Sequence, residues 1–156
     1  MTQAIRPDAN VTQICFVTDD VERSAKYFAA LLGIEPPTEY AKAADPAVAR
    51  AVYRGQTNAD VGCKIAMFTL GNLDIEFLEP DGRPSAWQEL LDAKGPCIHH
   101  IAFASSDVDA DLPKFAEHGA ELAQKGDYDG NSGQYAYVDT VPQLGAFIEL
   151  LQDYER

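Results

Sequence analysis

The sequence predicts an α+β protein: two β-α-β-β-β modules whose strands join in one curled, mixed sheet. Three observations carry this. First, the chain repeats itself: residues 13–21, QICFVTDDV, align with residues 100–108, HIAFASSDV, at an offset of 87, pairing Phe16 with Phe103, Asp20 with Asp107 and Val21 with Val108. Second, each half closes on a matching strand, LGNLDIEFLEP and LGAFIELLQD, which sets Glu76 opposite Glu149. Third, each half holds one amphipathic helix among short alternating strands, and Gly95-Pro96 separates the halves. A unit of this size is too small to close a core alone, so two must share one.

In order, residues 1–10 form a polar arm. VTQICFV from Val11 is a strand with Ile14 and Phe16 on one face and Gln13, Cys15 and Val17 on the other. TDDVERSAKYFAALLG is a helix with Thr18 or Asp19 as N-cap, a buried stripe of Val21, Ala25, Phe28 and Leu32, and Gly33 at its stop. Glu35 to Ala49 is a Pro- and Ala-rich connection, with a short helix near Pro46–Ala51. Strands follow at Ala51–Gln56, Gly62–Leu70 and Leu73–Glu79, the last two joined by a Gly71-Asn72 hairpin turn. This first module spans about residues 11–80.

DGRPSAWQELLDAKG is a turn and a linker helix at about 84–94, begun by Pro84 or Ser85 and ended by Gly95. Module two, about 96–152, opens on the strand CIHHIAFA. It continues with the helix SSDVDADLPKFAEHG, whose stripe is Val108, Leu112 and Phe115. The Gly-rich loop GDYDGNSG and strands near Gln134–Asp139 and Ala146–Leu151 complete it. Residues 1–156 read as one domain.

Hydrophobic residues at 46% and charged residues at 24% suit a soluble globular protein. No run nears the roughly 18 apolar residues of a membrane span, and MTQAIRPDAN lacks a signal-peptide core, so a cytoplasmic protein is expected. Cys15, Cys63 and Cys97 are odd in number and without CxxC spacing, which reads as reduced, mostly buried thiols. Acidic residues outnumber basic ones 25 to 12, and a net charge of −13 repels nucleic acid and anionic lipid. Any anionic substrate therefore needs a local basic patch.

Along CIHHIAFA, alternation puts His100 with Ala102 and Ala104, and His99 with Ile101 and Phe103. An imidazole among small side chains suggests a cavity wall. In LDIEFLEP, Glu76 shares a face with Asp74 and Leu78, and a carboxylate in the middle of a buried strand is costly unless paired or coordinated. On the residues alone, His100 also fits a hydrogen-bonded core histidine, and Glu76 an exposed sheet face. The repeat makes Gln13 equivalent to His100 and Glu76 to Glu149, so four polar side chains from four strands can converge inside the sheet. An amide, an imidazole and two carboxylates suit a borderline divalent cation with water at the open positions.

The stretches VTQICFVTDDVERSAKYFAALLGI, LGNLDIEFLEP, GPCIHHIAFASSDVD and LGAFIELLQ resemble the vicinal oxygen chelate superfamily (the glyoxalase/bleomycin resistance fold), which includes glyoxalase I and methylmalonyl-CoA epimerase. The resemblance covers nearly the whole chain. It implies a cupped sheet around a metal, with ligands from the start of each module's first strand and from its last strand. Carried onto this chain, the metal ligands are Gln13, Glu76, His100 and Glu149, a set that looks like animal-type glyoxalase I. The epimerases more often have histidine at the first position and glutamine at the second. Dioxygenases of the superfamily use two histidines and one glutamate, so Gln13 speaks against oxygen chemistry.

The resemblance further implies a divalent metal (Zn, Ni, Co or Mn) and an isomerase, epimerase or lyase that transfers a proton next to a metal-bound carbonyl. Glu149 is the first choice of base and Glu76 the alternative. The expected partners are a small-molecule carbonyl or thioester substrate and a second copy of the chain in a homodimer, whose contact covers exposed strand edges. His99, facing the helix layer, and His118 are expected to be dispensable for metal. Where glyoxalase I holds glutathione carboxylates with arginines, this chain has Val17 and Pro96, which argues against a glutathione hemithioacetal.

Coenzyme A needs cations for its phosphates. Arg50, Arg54, Lys64, Arg83 and Lys94 are scattered candidates, each equally readable as surface solvation. YRGQ, GCKIAMFTLGNLDIEFLEP and PSAWQELL look more like the epimerase branch, and Tyr128, Tyr135 and Tyr137, with the loop Gly126–Gly133, are expected to cover the cavity mouth. Two alternatives stand beside the enzyme: a non-catalytic small-molecule-binding protein of the bleomycin-resistance type, and a metal-dependent thiol transferase. Four competent ligand positions favour the enzyme, since a mere binding cleft has no need of them.

Overall fold

A computed structural model describes residues 10–154. From the N-terminus run β1 (Val11–Val17), α1 (Val21–Leu32), β2 (Ala41–Lys42), α2 (Pro46–Ala49), β3 (Val52–Tyr53), β4 (Cys63–Leu70) and β5 (Leu73–Pro80). The helix α3 (Ala86–Lys94) leads into β6 (Cys97–Ala104), α4 (Val108–Ala116), β7 (Leu122–Asp127), β8 (Gly133–Val138), α5 (Val141–Leu144) and β9 (Phe147–Asp153). All strands join one nine-stranded sheet in the order β2-β4-β5-β1-β6-β9-β8-β7-β3. It is mixed, because β1 runs parallel to β5 and β6 parallel to β9, while β1 and β6 meet antiparallel at the centre.

The sequence repeat is also a repeat of register. Gln13 lies opposite Asp74 and Cys15 opposite Glu76; at the equivalent places His100 lies opposite Phe147 and Ala102 opposite Glu149. The helix starts repeat as well. Asp20 caps α1 by accepting from the Arg23 N–H, and Asp107 caps α4 by accepting from the Ala110 N–H. Thr18 and Ser105 in turn accept from the Asp20 and Asp107 N–H groups, each at 3.2 Å. The cap of α1 is thus Asp20, not Thr18 or Asp19, because Asp20 is the residue with extended backbone whose carboxylate reaches the third N–H along.

One sheet face carries α1 and α4. Val21, Ala25 and Ala29 pack with Phe28 against Phe16, Phe68 and Phe77, and Val108, Leu112 and Phe115 pack against Phe103 and Leu150. Leu32, expected in the stripe of α1, is exposed at 51%, because the stripe drifts to Ala29 before Gly33 turns the chain in the left-handed region at φ 66°. The inner face carries Cys15, Val17, Cys63, Leu78, Tyr137 and Phe147, packed against Ala86, Trp87 and Leu90 of α3. The linker helix therefore plugs the cup, with Ser85 as its N-cap.

Two strands escaped the sequence reading: β2 and β7, each short and weakly alternating. The strand expected over Ala51–Gln56 shrinks to Val52–Tyr53 and joins the far edge of the sheet, where Val52 lies opposite Lys125 and Tyr53 opposite Gln124 of β7. Since β2 sits on the opposite edge, against β4, residues 43–51 with α2 form a strap across the open side of the half-barrel. The strap's far end is anchored by Arg54, which bonds Glu89 and Asp139, and by the Tyr53 hydroxyl, which donates to Glu89 at 2.7 Å. Among the described residues, no helix is long and apolar enough to cross a membrane.

Candidate metal centre

Four adjacent strands, β5, β1, β6 and β9, bring Glu76, Gln13, His100 and Glu149 to one point on the inner face, all four buried. His100 Nε2 lies 2.8 Å from Gln13 Oε1, 2.9 Å from Glu149 Oε2 and 3.8 Å from Glu76 Oε1. Its N–H is directed at Gln13, and Glu149 Oε2, although close, is buried without a hydrogen-bond partner. A buried carboxylate oxygen in that condition is costly unless something else satisfies it.

The surroundings set the charges. Burial pushes Glu76 up to about 7, with the charge of Glu149 adding to the rise and that of His100 opposing it. Burial alone disfavours the His100 cation, but the charges of Glu149 and Glu76 outweigh it and hold the imidazole above its ordinary value. The ring thus sits amid oxygen acceptors that favour positive charge at Nε2, where a divalent cation would take the place of a proton. Ligand atoms bound at right angles, at roughly 2.1 Å from a shared cation, lie about 3 Å apart, close to the Gln13–His100 and His100–Glu149 separations. The donor set therefore fits a divalent metal.

Cys15, expected from the sequence as a reduced, buried thiol, is a near neighbour. Its sulfur, a Glu76 oxygen and a His100 nitrogen lie within 4.8 Å of one another, a grouping able to hold a metal ion. Burial first, and then Glu76, keep Cys15 a protonated thiol. The signal was in the alternation, which places Cys15 on the face of Gln13.

His99 is the larger correction. The register of β1 and β6 slips between Cys15 opposite His100 and Phe16 opposite Ile98, leaving His99 as the extra residue of a bulge. Instead of facing the outer helices with Ile101, His99 turns inward beside His100, fully buried. Its Nδ1 lies 2.8 Å from His100 Nδ1 and its Nε2 3.0 Å from the Ala86 carbonyl oxygen of α3. The exposed His118 follows the end of α4, away from this cluster.

A cavity of about 340 Å³ opens onto Gln13, Glu76 and Glu149. Val61, Ile65, Met67 and Leu78 give it an apolar wall, and Lys42, Ala43, Ala44 and Ala49 of the strap region cover it. Tyr128, Tyr135 and Tyr137 also line it, Tyr137 from a buried position. Its ring packs 4.9 Å from that of His100, and its hydroxyl accepts from Trp87 Nε1 at 2.9 Å.

None of the five basic candidates lines the cavity: Arg50 pairs with Asp127, which does line it, Arg54 with Glu89 and Asp139, Lys64 with Glu79, Arg83 with Asp60 and Asp81, and Lys94 with the Gly145 carbonyl. Among the described residues, Lys42 is the one base that lines it. Val17 is buried in the core and Pro96 is exposed elsewhere, so neither position brings a charge to the site.

The model of the Glyoxalase/Bleomycin resistance protein/Dioxygenase superfamily matches residues 12–138. Similar solved structures include methylmalonyl-CoA epimerase from Mycobacterium tuberculosis, at 16% identity and TM-score 0.62 over 93% of this chain and 88% of that one. Another is a hypothetical protein from Bacillus halodurans, at 16% and 0.62 over 96% and 97%. A third is a methylmalonyl-CoA epimerase in complex with methylmalonyl-CoA, at 20% and 0.61 over 93% and 94%. At these identities the likeness is one of fold. Among curated proteins, none matches the chain in sequence.

Proposed function

The chain belongs to the Glyoxalase/Bleomycin resistance protein/Dioxygenase superfamily, and we propose that it is a divalent-metal-dependent isomerase or lyase that moves a proton next to a carbonyl group. The observation that carries this reading is the convergence of Gln13, Glu76 and Glu149 on His100 Nε2, with Glu149 Oε2 left unpartnered at the wall of a mostly apolar cavity.

Gln13 Oε1, Glu76 Oε1, His100 Nε2 and one oxygen of the Glu149 carboxylate would hold the metal, one of Zn, Ni, Co or Mn. When bound, such a cation supplies Lewis acidity that polarises a carbonyl oxygen and stabilises the negative charge developing there. The oxygen of the Glu149 carboxylate left free of the metal takes the proton from the carbon beside that carbonyl. The electron pair of the broken C–H bond moves into the carbonyl, and the carboxylic acid returns the proton to the substrate. Glu76, held at about 7 by burial, is the alternative base. The apolar wall and the strap exclude water, which strengthens every charge interaction inside.

The substrate class is a small carbonyl compound or thioester. A similar structure holds methylmalonyl-CoA, and Lys42 at the cavity suits an anionic portion of a substrate. Residues 11–152 act as one two-module domain in the cytoplasm, where Cys15, Cys63 and Cys97 stay free. A homodimer is the expected assembly, since β2 pairs with only Lys64 and Ile65 of the eight-residue β4 and leaves the rest of that sheet edge for a partner to cover.

The test is α-proton exchange in deuterated water, followed by NMR, with metal-loaded protein and a panel of acyl-CoA esters, 2-keto acids and hemithioacetals. Exchange that needs the metal, in at least one class, is expected. A stoichiometric metal complex that exchanges no proton in any class contradicts the enzyme and leaves a binding protein.

A further inference from the structure

We infer that His99 is a positioning residue for the metal site: it accepts the Nδ1–H of His100 and thereby fixes Nε2 as the atom that His100 presents to the metal. This deepens the proposed function and rests on it for its consequence, although the hydrogen-bond chain itself stands without a metal.

A backbone carbonyl only accepts, so the 3.0 Å contact between His99 Nε2 and the Ala86 oxygen requires the proton on Nε2. His99 is fully buried between Phe147 and Tyr137, and its hydrogen-bond partners are the Ala86 carbonyl and His100 rather than a carboxylate, so the ring is held neutral and its Nδ1 carries only a lone pair. The 2.8 Å contact between the two Nδ1 atoms then requires the proton on His100 Nδ1. That holds whether or not His100 Nε2 is also protonated, which leaves Nε2 alone to exchange a proton for a metal. A ligand histidine gains orientation when its second nitrogen donates to a fixed acceptor.

The acceptor is itself fixed. The His99 ring is stacked on Phe147 with centroids 4.9 Å apart, and Tyr137 meets it edge-on at 5.2 Å. Ala86 is held from its other side, where its N–H donates to Gln124 Oε1 at 2.8 Å. The one-residue bulge in β6 is what makes the arrangement possible, since regular alternation would turn His99 outward. The chain thus ties the metal-facing nitrogen to the linker helix between the modules.

The experiment has two readouts. In metal-free, ¹⁵N-labelled protein, imidazole shifts report which ring nitrogens are protonated. His99 is expected with its proton on Nε2 and a bare Nδ1, and His100 with a proton on Nδ1. A proton on His99 Nδ1, or a bare His100 Nδ1, overturns the inference even if the protein binds metal well. In the second readout, zinc and cobalt titrations compare His99→Leu, which removes the acceptor, with His99→Asn, whose amide oxygen replaces it.

His99→Leu is expected to weaken metal binding by about 10–100-fold, and His99→Asn to recover most of that loss despite being the less apolar replacement. Equal losses in both variants overturn the inference, because a packing role favours leucine. If wild-type protein binds neither metal while the shifts come out as expected, the proposed function fails and the hydrogen-bond chain stands.

Discussion

Glu149 Oε2 lies 2.9 Å from His100 Nε2 yet has no hydrogen-bond partner, because the ring N–H is aimed at Gln13. That leaves the Glu149 carboxylate an available acceptor at the cavity, and the choice of base follows from it.

If Glu149 removes the α-proton, Glu149→Gln keeps an oxygen ligand, as Gln13 does, but loses the chemistry. A missing general base costs about 10²–10⁴-fold in rate. Glu76→Gln makes the same isosteric change at the pseudo-equivalent place and is expected to cost much less at matched metal content. The order of the two exchange rates is the measurement. A larger loss in metal-loaded Glu76→Gln reverses the assignment.

The metal-free protein is expected to lose stability as pH rises. Glu76 is held at about 7 against an ordinary 4.5, and His100 is held above 6.5. Each keeps, when folded, a proton that the unfolded chain releases. The contribution of Glu76 is complete below about 4.5 and gone above about 7, and that of His100 is complete below about 6.5 and lost as pH rises through its higher folded value. His99 works the other way, but only below 6.5, where the unfolded chain takes up a proton that the buried ring refuses. Melting curves in chelator at about pH 6.5 and about pH 8.5 should therefore show a lower Tm at the higher pH, with a smaller drop in Glu76→Gln. An unchanged or rising Tm contradicts the charge arrangement.

The anchor of the strap should matter more than an equally dense surface pair. Arg54 serves Glu89 and Asp139 beside the buried end of Tyr53's hydrogen bond, and it joins residues far apart in sequence. Arg54→Met is expected to destabilise by about 1–2 kcal/mol after allowance for its partial exposure. Arg83 pairs with Asp60 and Asp81 at the surface, and Arg83→Met should cost clearly less than Arg54→Met. Urea denaturation of the two variants checks the order.

The repeat was legible because its carriers are local. Matched strand–helix junctions around Asp20 and Asp107, and matched last strands around Glu76 and Glu149, appear as similar words in the sequence. From them came the pairing of Gln13 with His100, and the structure brings all four side chains together. The side of the sheet that His99 takes was not legible. A bulge adds one residue without changing composition, and strict alternation turns the ring to the wrong face. Nor could the sequence place Val52–Tyr53 at the far edge of the sheet, since a two-residue strand has no pattern of its own and its partner, β7, lies some seventy residues on. Tyr135 and Tyr137 both line the cavity and pack on Trp87, and nothing in QYAYV tells that Tyr137 is the one whose hydroxyl accepts from Trp87 Nε1.

Metal stoichiometry tests the central claim most directly. Wild-type protein stripped with chelator and titrated with zinc, nickel, cobalt or manganese is expected to bind about one ion per chain with at least one of them, and to gain thermal stability as it does so. His100→Ala is expected to lose both the binding and the gain. Wild-type protein that takes up no ion, or His100→Ala that binds as wild type does, contradicts the assignment of Gln13, Glu76, His100 and Glu149 as the metal site.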